Sequence, residues 1–218
     1  MKNVKIRNSQ LEFTVGKIAC VGRNYAEHAR ELGNEVPQFP IIFLKPPSTL
    51  IYNGDTIVHP NYSNELHHEV ELVLLIGKVI TKPTIEEAEN AIIGYGVGLD
   101  MTLRDLQNEY RKEGNPWTLS KCFDTCAVIS DFVLKENYKL TGNENIQLYK
   151  NGNIQQNSIV NKMIFSPAEI VKYISERMTL EPGDLIYTGT PEGVSKVEKG
   201  DRLISKITNI AELENKIE

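Results

Sequence analysis

Three carboxylates stand out by residue type and spacing. In the run His67-His68-Glu69-Val70-Glu71-Leu72-Val73-Leu74-Leu75-Ile76-Gly77, a period of two puts Glu69, Glu71, Val73 and Leu75 on one face and Val70, Leu72, Leu74 and Ile76 on the other. A strand that is apolar on both faces is usually covered on both, which turns the two carboxylates toward an interior. Like charges about 7 Å apart in an interior are costly unless protons or a cation offset them. A divalent cation is the natural partner. Asp100 offers a third oxygen ligand, because Gly94-Tyr95-Gly96-Val97-Gly98-Leu99-Asp100 sets Gly94, Gly96, Gly98 and Asp100 on one face, and that glycine face leaves room for something to approach the backbone. Three carboxylates with further positions open describe a hard-ion site, for Mg2+ or Mn2+ first and Ca2+ second, rather than zinc. The competing reading is a pair of glutamates at a solvated sheet edge. A zinc site of His67, Glu69 and Glu71 would need ligands in line over about 13 Å, and the string is not H-E-x-x-H, so His67 and His68 read as polar neighbours.

Other groups are placed by spacing alone. His28 and Glu31 lie three residues apart and share one face of a short helix; this is either an orienting pair or a surface pair worth a few tenths of a kcal/mol. Arg104 and Gln107 are likewise three apart, on a helix that follows Asp100, so one face can present both to a carboxylate or oxo group. Gly189-Thr190 before Pro191 combines a backbone N–H with a hydroxyl, although an ordinary strand-terminating turn has the same composition. Cys20, Cys122 and Cys126 are too sparse and odd a set for a disulfide framework and read as reduced thiols; the C-x-x-x-C pair is weak as a zinc motif.

These groups must be held by a chain that is mostly strand. Segments 17–22, 40–44, 68–76, 95–99, 127–133, 147–150, 185–188 and 202–207 favour β, and Asn151-Gly152 is a hairpin turn signal. Four helices carry punctuation: one with a capping-box pattern at Asn24 and a stop at Gly33, one opened by Thr84 and Glu87 and closed by Gly94, one from Ser166-Pro167 to about 177, and one over 102–112 ending at Gly114. The expected architecture is mixed α/β, mainly β, in a single domain over 1–218, with a mobile flap around 22–47 where a short polar helix sits between glycine and proline breakers. The 218 residues carry 24 Lys+Arg against 29 Asp+Glu, a net charge of −5, with 40% hydrophobic residues. That balance describes a globular chain and disfavours a nucleic-acid partner. The absence of an apolar run long enough to span a bilayer, and of a secretory leader, makes the expected location cytoplasmic, away from membranes.

The motifs taken together resemble the fumarylacetoacetate hydrolase family, in its short branch that includes acylpyruvate hydrolases and oxaloacetate decarboxylases. The resemblance runs from about 17 to 207 through Cys20-Val21-Gly22-Arg23-Asn24-Tyr25 with His28 and Glu31, Phe43-Leu44-Lys45-Pro46, His68-Glu69-Val70-Glu71, Gly98-Leu99-Asp100-Met101-Thr102 with Arg104, Trp117-Thr118-Leu119-Ser120-Lys121, and Gly183-Asp184 through Gly189-Thr190-Pro191. It implies a mixed β-sandwich roll with a few short helices, a Mg2+ or Mn2+ ion on Glu69, Glu71 and Asp100, a homodimer, and a small 2-oxo acid as substrate. Carbon-carbon cleavage through an enolate, as acylpyruvate hydrolysis or oxaloacetate decarboxylation, is the implied reaction. By the same resemblance, His28 with Glu31 forms a water-activating dyad on a closing lid, Lys121 is catalytic, and Arg23, Lys45, Arg104, Gln107, Gly189 and Thr190 contact substrate. A proline expected after Cys126 is missing, which bears on local pocket shape. The alternatives are an isomerase of 2-hydroxyhepta-2,4-diene-1,7-dioate type or an oxaloacetate tautomerase, with the same enolate and no hydrolytic water, and a metal-stabilised β-domain without catalysis.

Overall fold

The computed structural model describes residues 1–218. Two sheets carry the chain. The larger has eight strands, ordered Ile41–Lys45, Ile18–Gly22, Leu185–Tyr187, Val70–Ile76, Ile92–Asp100, Ala127–Ile129 and Leu50–Tyr52, with Val133–Leu134 pairing a second stretch of Ile92–Asp100. It is mixed: Leu185–Tyr187 runs parallel to Ile18–Gly22 and antiparallel to Val70–Ile76. The smaller sheet orders Asn153–Ile159, Asn145–Lys150, Arg202–Ile207, Ala211–Ile217 and Thr56–Ile57. The architecture is therefore mixed α/β and mainly β.

All seven residues of Val70–Ile76 are buried, which is why the run is apolar on both faces apart from Glu71. The parity of two holds through it. Val70, Leu72, Leu74 and Ile76 belong to a core of 35 residues that also takes in Leu148, Leu203 and Leu213 of the smaller sheet. Val73 and Leu75 face the opposite way, into a core of 13 residues with Cys20, Phe132 and Tyr187. Truncating Leu72 to Ala would cost about 2–5 kcal/mol, the range for a buried aliphatic with no room to collapse. The glycine face of Ile92–Asp100 lies in this second layer, and its occupants are aromatic side chains. A Cβ on Gly96 would stand 3.2 Å from the Phe132 ring, and one on Gly98 would stand 2.5 Å from the Tyr187 ring. The room expected for a close approach to the backbone is used by the core.

Helix ends follow local chemistry where a cap is available. Thr84 and Ser166 each close a capping box, with Glu87 and Glu169, and open the helices Ile85–Glu89 and Pro167–Ser175. The first stops before Ala91 and the chain is already extended at Ile92, so Gly94 is a strand residue. The helix Arg104–Glu113 ends on Gly114 at φ 74°, as its glycine requires. The helix Ala26–Glu31 has no side-chain cap: Asn24 is buried and its amide is spent on Phe165 and Thr188. Asn151 and Gly152, both at positive φ, turn the hairpin between Asn145–Lys150 and Asn153–Ile159. The three cysteines are free, Cys20 and Cys126 buried. No helix is long and apolar enough to cross a membrane.

Candidate active site

The register of the two central strands brings the carboxylates together. Val70 pairs with Leu99 in an antiparallel ladder, so Glu69 falls opposite Asp100, and the Asp100 N–H donates to the Glu69 carbonyl at 2.9 Å. Glu71 is two residues along on the same face. Oxygen atoms of Glu69, Glu71 and Asp100 all lie within 4.8 Å of one another, and all three residues are buried. His67 and His68 take no part in the cluster. His67 pairs with Glu65 at 3.2 Å, while His68 donates from Nδ1 to Gln156 Oε1 at 3.0 Å and lies against Ser195 Oγ at 2.9 Å. Burial holds the His68 imidazole down to a pKa of about 4, so it is neutral at neutral pH.

The side chains around the triad compensate it unevenly. Lys121, on the one-turn helix Thr118–Lys121, donates to Glu69 Oε2 (2.7 Å), Asp100 Oδ2 (2.7 Å) and Thr102 Oγ1 (2.6 Å). Arg104 reaches the other oxygen of Glu69 and the amide oxygen of Gln107. Burial alone would raise the Glu69 carboxyl, but Lys121 and Arg104 pull it below its ordinary value. Glu71 receives one hydrogen bond, from the Gly189 N–H at 2.7 Å, and burial together with Asp100 and Glu69 pushes its carboxyl well above the usual range. Asp100 Oδ1 is buried and ion-paired with Lys45 Nζ at 2.8 Å, an ammonium that also lies within reach of the Met101 and Cys126 carbonyls. A buried cluster of carboxylate oxygens within 4.8 Å of one another, with the Glu71 carboxyl under repulsion from its neighbours, is the donor set of a hard divalent cation. Glu69, Glu71 and Asp100 fit such an ion.

A narrow cleft opens over the triad. His28, Leu32, Phe43, Trp117, Arg104, Gln107 and Lys121 line it, with the Lys121 ammonium over the Phe43 ring at 5.0 Å from the centroid. His28 is only 3% exposed and its Nδ1 lies 3.2 Å from Glu31 Oε2. A carboxylate can only accept, so Nδ1 carries a proton, and in the neutral imidazole Nε2 is the free acceptor. Glu31 is fixed from the far side by the Gly193 N–H at 3.0 Å; these hydrogen bonds hold its carboxyl below the ordinary value against the opposing effect of burial.

Several expected substrate contacts have another employment. Lys45 does not line the cleft. It is wholly buried behind Asp100, and that negative charge keeps its ammonium protonated despite the burial. Gly189 spends its N–H on Glu71, and a Cβ there would meet Asn24 Cβ at 2.6 Å. Thr190 Oγ1 donates to the Val70 carbonyl at 2.9 Å and accepts from Gln156 Nε2 at 2.8 Å. Gln156 also donates to the Pro191 carbonyl and accepts from Val70 N–H, which fixes the orientation of its amide without ambiguity. Sequence reading did not reach Gln156 or the cleft residue Arg111. Gln156 sits in an ordinary polar hairpin, and Arg111 in the last turn of a helix rich in charge.

The family model described as fumarylacetoacetate (FAA) hydrolase C-terminal matches residues 17–218. The chain belongs to the fumarylacetoacetate hydrolase family. It is 45% identical over 202 residues to the mitochondrial oxaloacetate tautomerase FAHD1 of Arabidopsis thaliana, covering 93% of this chain and 91% of the relative. To the mitochondrial oxaloacetate decarboxylase of Dictyostelium discoideum it is 44% identical over 195 residues, covering 89% of each. A crystal structure of fumarylpyruvate hydrolase from Pseudomonas aeruginosa in complex with Mn2+ and pyruvate superposes with a TM-score of 0.96 at 38% identity, over 99% of this chain and 95% of that one.

Proposed function

We propose that this chain is a Mg2+- or Mn2+-dependent enzyme that moves a proton at carbon 3 of oxaloacetate, interconverting its keto and enol forms and leading on to decarboxylation. The observation that carries the reading is His28, buried in the same cleft as the acidic triad and oriented by Glu31 from the solvent side. A divalent ion on Glu69, Glu71 and Asp100 would supply electrostatic stabilisation of the negative charge that develops on the 2-oxo oxygen. The chain's own groups do the rest. Glu31 fixes the tautomer of His28, whose Nε2 takes the carbon-bound proton and returns it. Lys121 and Arg104 hold positive charge at the edge of the triad, where the enolate charge grows. Gln107 and the backbone of Thr190 orient the carboxylate end. Within the segment 22–47, the end at Ile41–Lys45 is a strand of the large sheet, and the part ahead of that strand acts as a lid that excludes water once substrate is bound, with Asn24 and Glu31 as its fasteners.

The same Nε2 could instead activate water, which gives acylpyruvate hydrolysis; a solved relative named fumarylpyruvate hydrolase favours this second reading. Proton NMR in D2O separates them. Metal-stripped protein is given oxaloacetate or acetylpyruvate with and without Mg2+. Metal-dependent acceleration of keto–enol exchange and deuterium entry at carbon 3 supports the first reading. Pyruvate and acetate from acetylpyruvate, with oxaloacetate exchange unaccelerated, replaces it with the second. No change in either substrate rejects both.

A further inference from the structure

The cleft carries positive charge that its own carboxylates do not use. Lys121 and Arg104 are compensated by Glu69 and Asp100. Arg23 and Arg111 line the same cleft, and neither guanidinium is ion-paired with a carboxylate. Arg23 reaches its place from a left-handed backbone, φ 59°, uncommon for a residue with a side chain, and lies over the Trp117 ring at 5.7 Å from the centroid. Arg111 is held by Asn34 Oδ1, to which it donates at 2.6 Å. Both side chains are half-buried. Burial, and then the charge of Arg111, draws the Arg23 guanidinium below its ordinary value, so the two cations are near enough to repel.

Two guanidiniums fixed by a ring and an amide, facing one cavity without an anion of their own, form a fork that a ligand anion completes. The geometry points to a carboxylate subsite formed by Arg23 and Arg111, which binds the far carboxylate of a 2-oxo dicarboxylic acid whose 2-oxo acid end lies against the acidic triad. This rests on the function proposed above and narrows it: the preferred substrates are dianions, and monocarboxylic 2-oxo acids of equal length are poor ones. It also couples substrate to the lid. Arg23 lies five residues before His28, and Arg111 is bonded to Asn34 just past the helix, so a carboxylate spanning both guanidiniums ties the segment down from two points.

The test uses malate and 2-hydroxybutanoate, stable four-carbon 2-hydroxy acids that differ in having a carboxylate or a methyl at the far end. Their affinities for the Mg2+-loaded protein are measured by calorimetry, for the parent and for Arg23→Met, Arg111→Met, Arg23→Lys and the double Met variant, with Mg2+ binding as the check that each variant is folded. The expected result is at least tenfold tighter binding of malate by the parent, a gap that shrinks below threefold in the double variant and is partly restored by Arg23→Lys. A parent that does not prefer malate, or a double variant that keeps the preference, overturns the subsite. Turnover is read separately: a parent that shows this preference but leaves oxaloacetate and acetylpyruvate unchanged refutes the proposed reaction while the subsite stands.

Discussion

The acidic cradle and the segment that carries His28 are built on opposite principles. Glu69, Glu71 and Asp100 sit on or beside the two central strands of an eight-stranded sheet, and their positions follow from a ladder in which Glu69 lies opposite Asp100. Lys45 and Lys121 brace them from within the protein, both ammonium groups being buried. His28 stands on a helix of six residues with no side-chain cap, too short to be stable alone. It stays in place because a few side chains reach across to it: Asn24 to Phe165 and Thr188, Glu31 to Gly193. On the function proposed above, a charge centre that must not move is placed in the sheet, and the acid–base group that would meet and release substrate hangs on a handful of replaceable hydrogen bonds.

The largest effects break the rigid side. Glu71→Gln removes a ligand from the triad, and we expect divalent-ion affinity measured by calorimetry to fall at least 100-fold and turnover by roughly 10³-fold or more. The metal-free protein should move the other way. Glu71 is a buried carboxylate pressed by Asp100 and Glu69, so the amide relieves repulsion and the melting temperature of the stripped protein rises, by about 2–4 °C per kcal/mol gained. A fall in melting temperature would show that the cradle is content without its ion. His28→Ala leaves the cradle untouched; ion affinity should stay within about threefold while kcat falls roughly 10²- to 10⁴-fold. Equal losses in both quantities would mean that the two regions are not separable. Asn24→Ala comes next. It removes three hydrogen bonds that fasten the segment, and kcat/KM should drop on the order of tenfold with stability lowered by about 1–3 kcal/mol, read from urea unfolding.

The same contrast decides what could be read without coordinates. Glu69, Glu71 and Asp100 were legible because strand parity is a local rule and an apolar run on both faces has few places to go. The capping boxes at Thr84 and Ser166 were legible for the same reason, each being closed within four residues. Asn24 carried an equally plausible local signal and was misread, since its amide finds partners 141 and 164 residues away and gives up the cap. The face of Gly94, Gly96 and Gly98 was read as room for an approach to the backbone, but Phe132 and Tyr187 fill it, and nothing local says so. Lys45 shows the converse: the family resemblance and its place in the region read as a lid pointed to substrate, and the strand Ile41–Lys45 turns it inward onto Asp100.

Gln156 offers the finest division between the regions, because it belongs to neither and touches both the acidic strand and the rim of the cleft. From the smaller sheet it accepts from Val70 N–H and His68, and donates to Thr190 Oγ1 and the Pro191 carbonyl, with no exposed surface. Gln156→Glu keeps the shape and both accepting contacts but, when ionised, faces the Pro191 carbonyl with a second acceptor where a donor stood. We expect the loop at Thr190 and Pro191 to shift away, raising KM roughly three- to tenfold while kcat changes less, because the acid–base pair and the triad keep their partners. Ion affinity should be unaltered. If kcat falls as far as KM rises, Thr190 takes part in the reacting geometry as well as in binding, and the rim of the cleft belongs with the rigid cradle in function as it does in its hydrogen bonds.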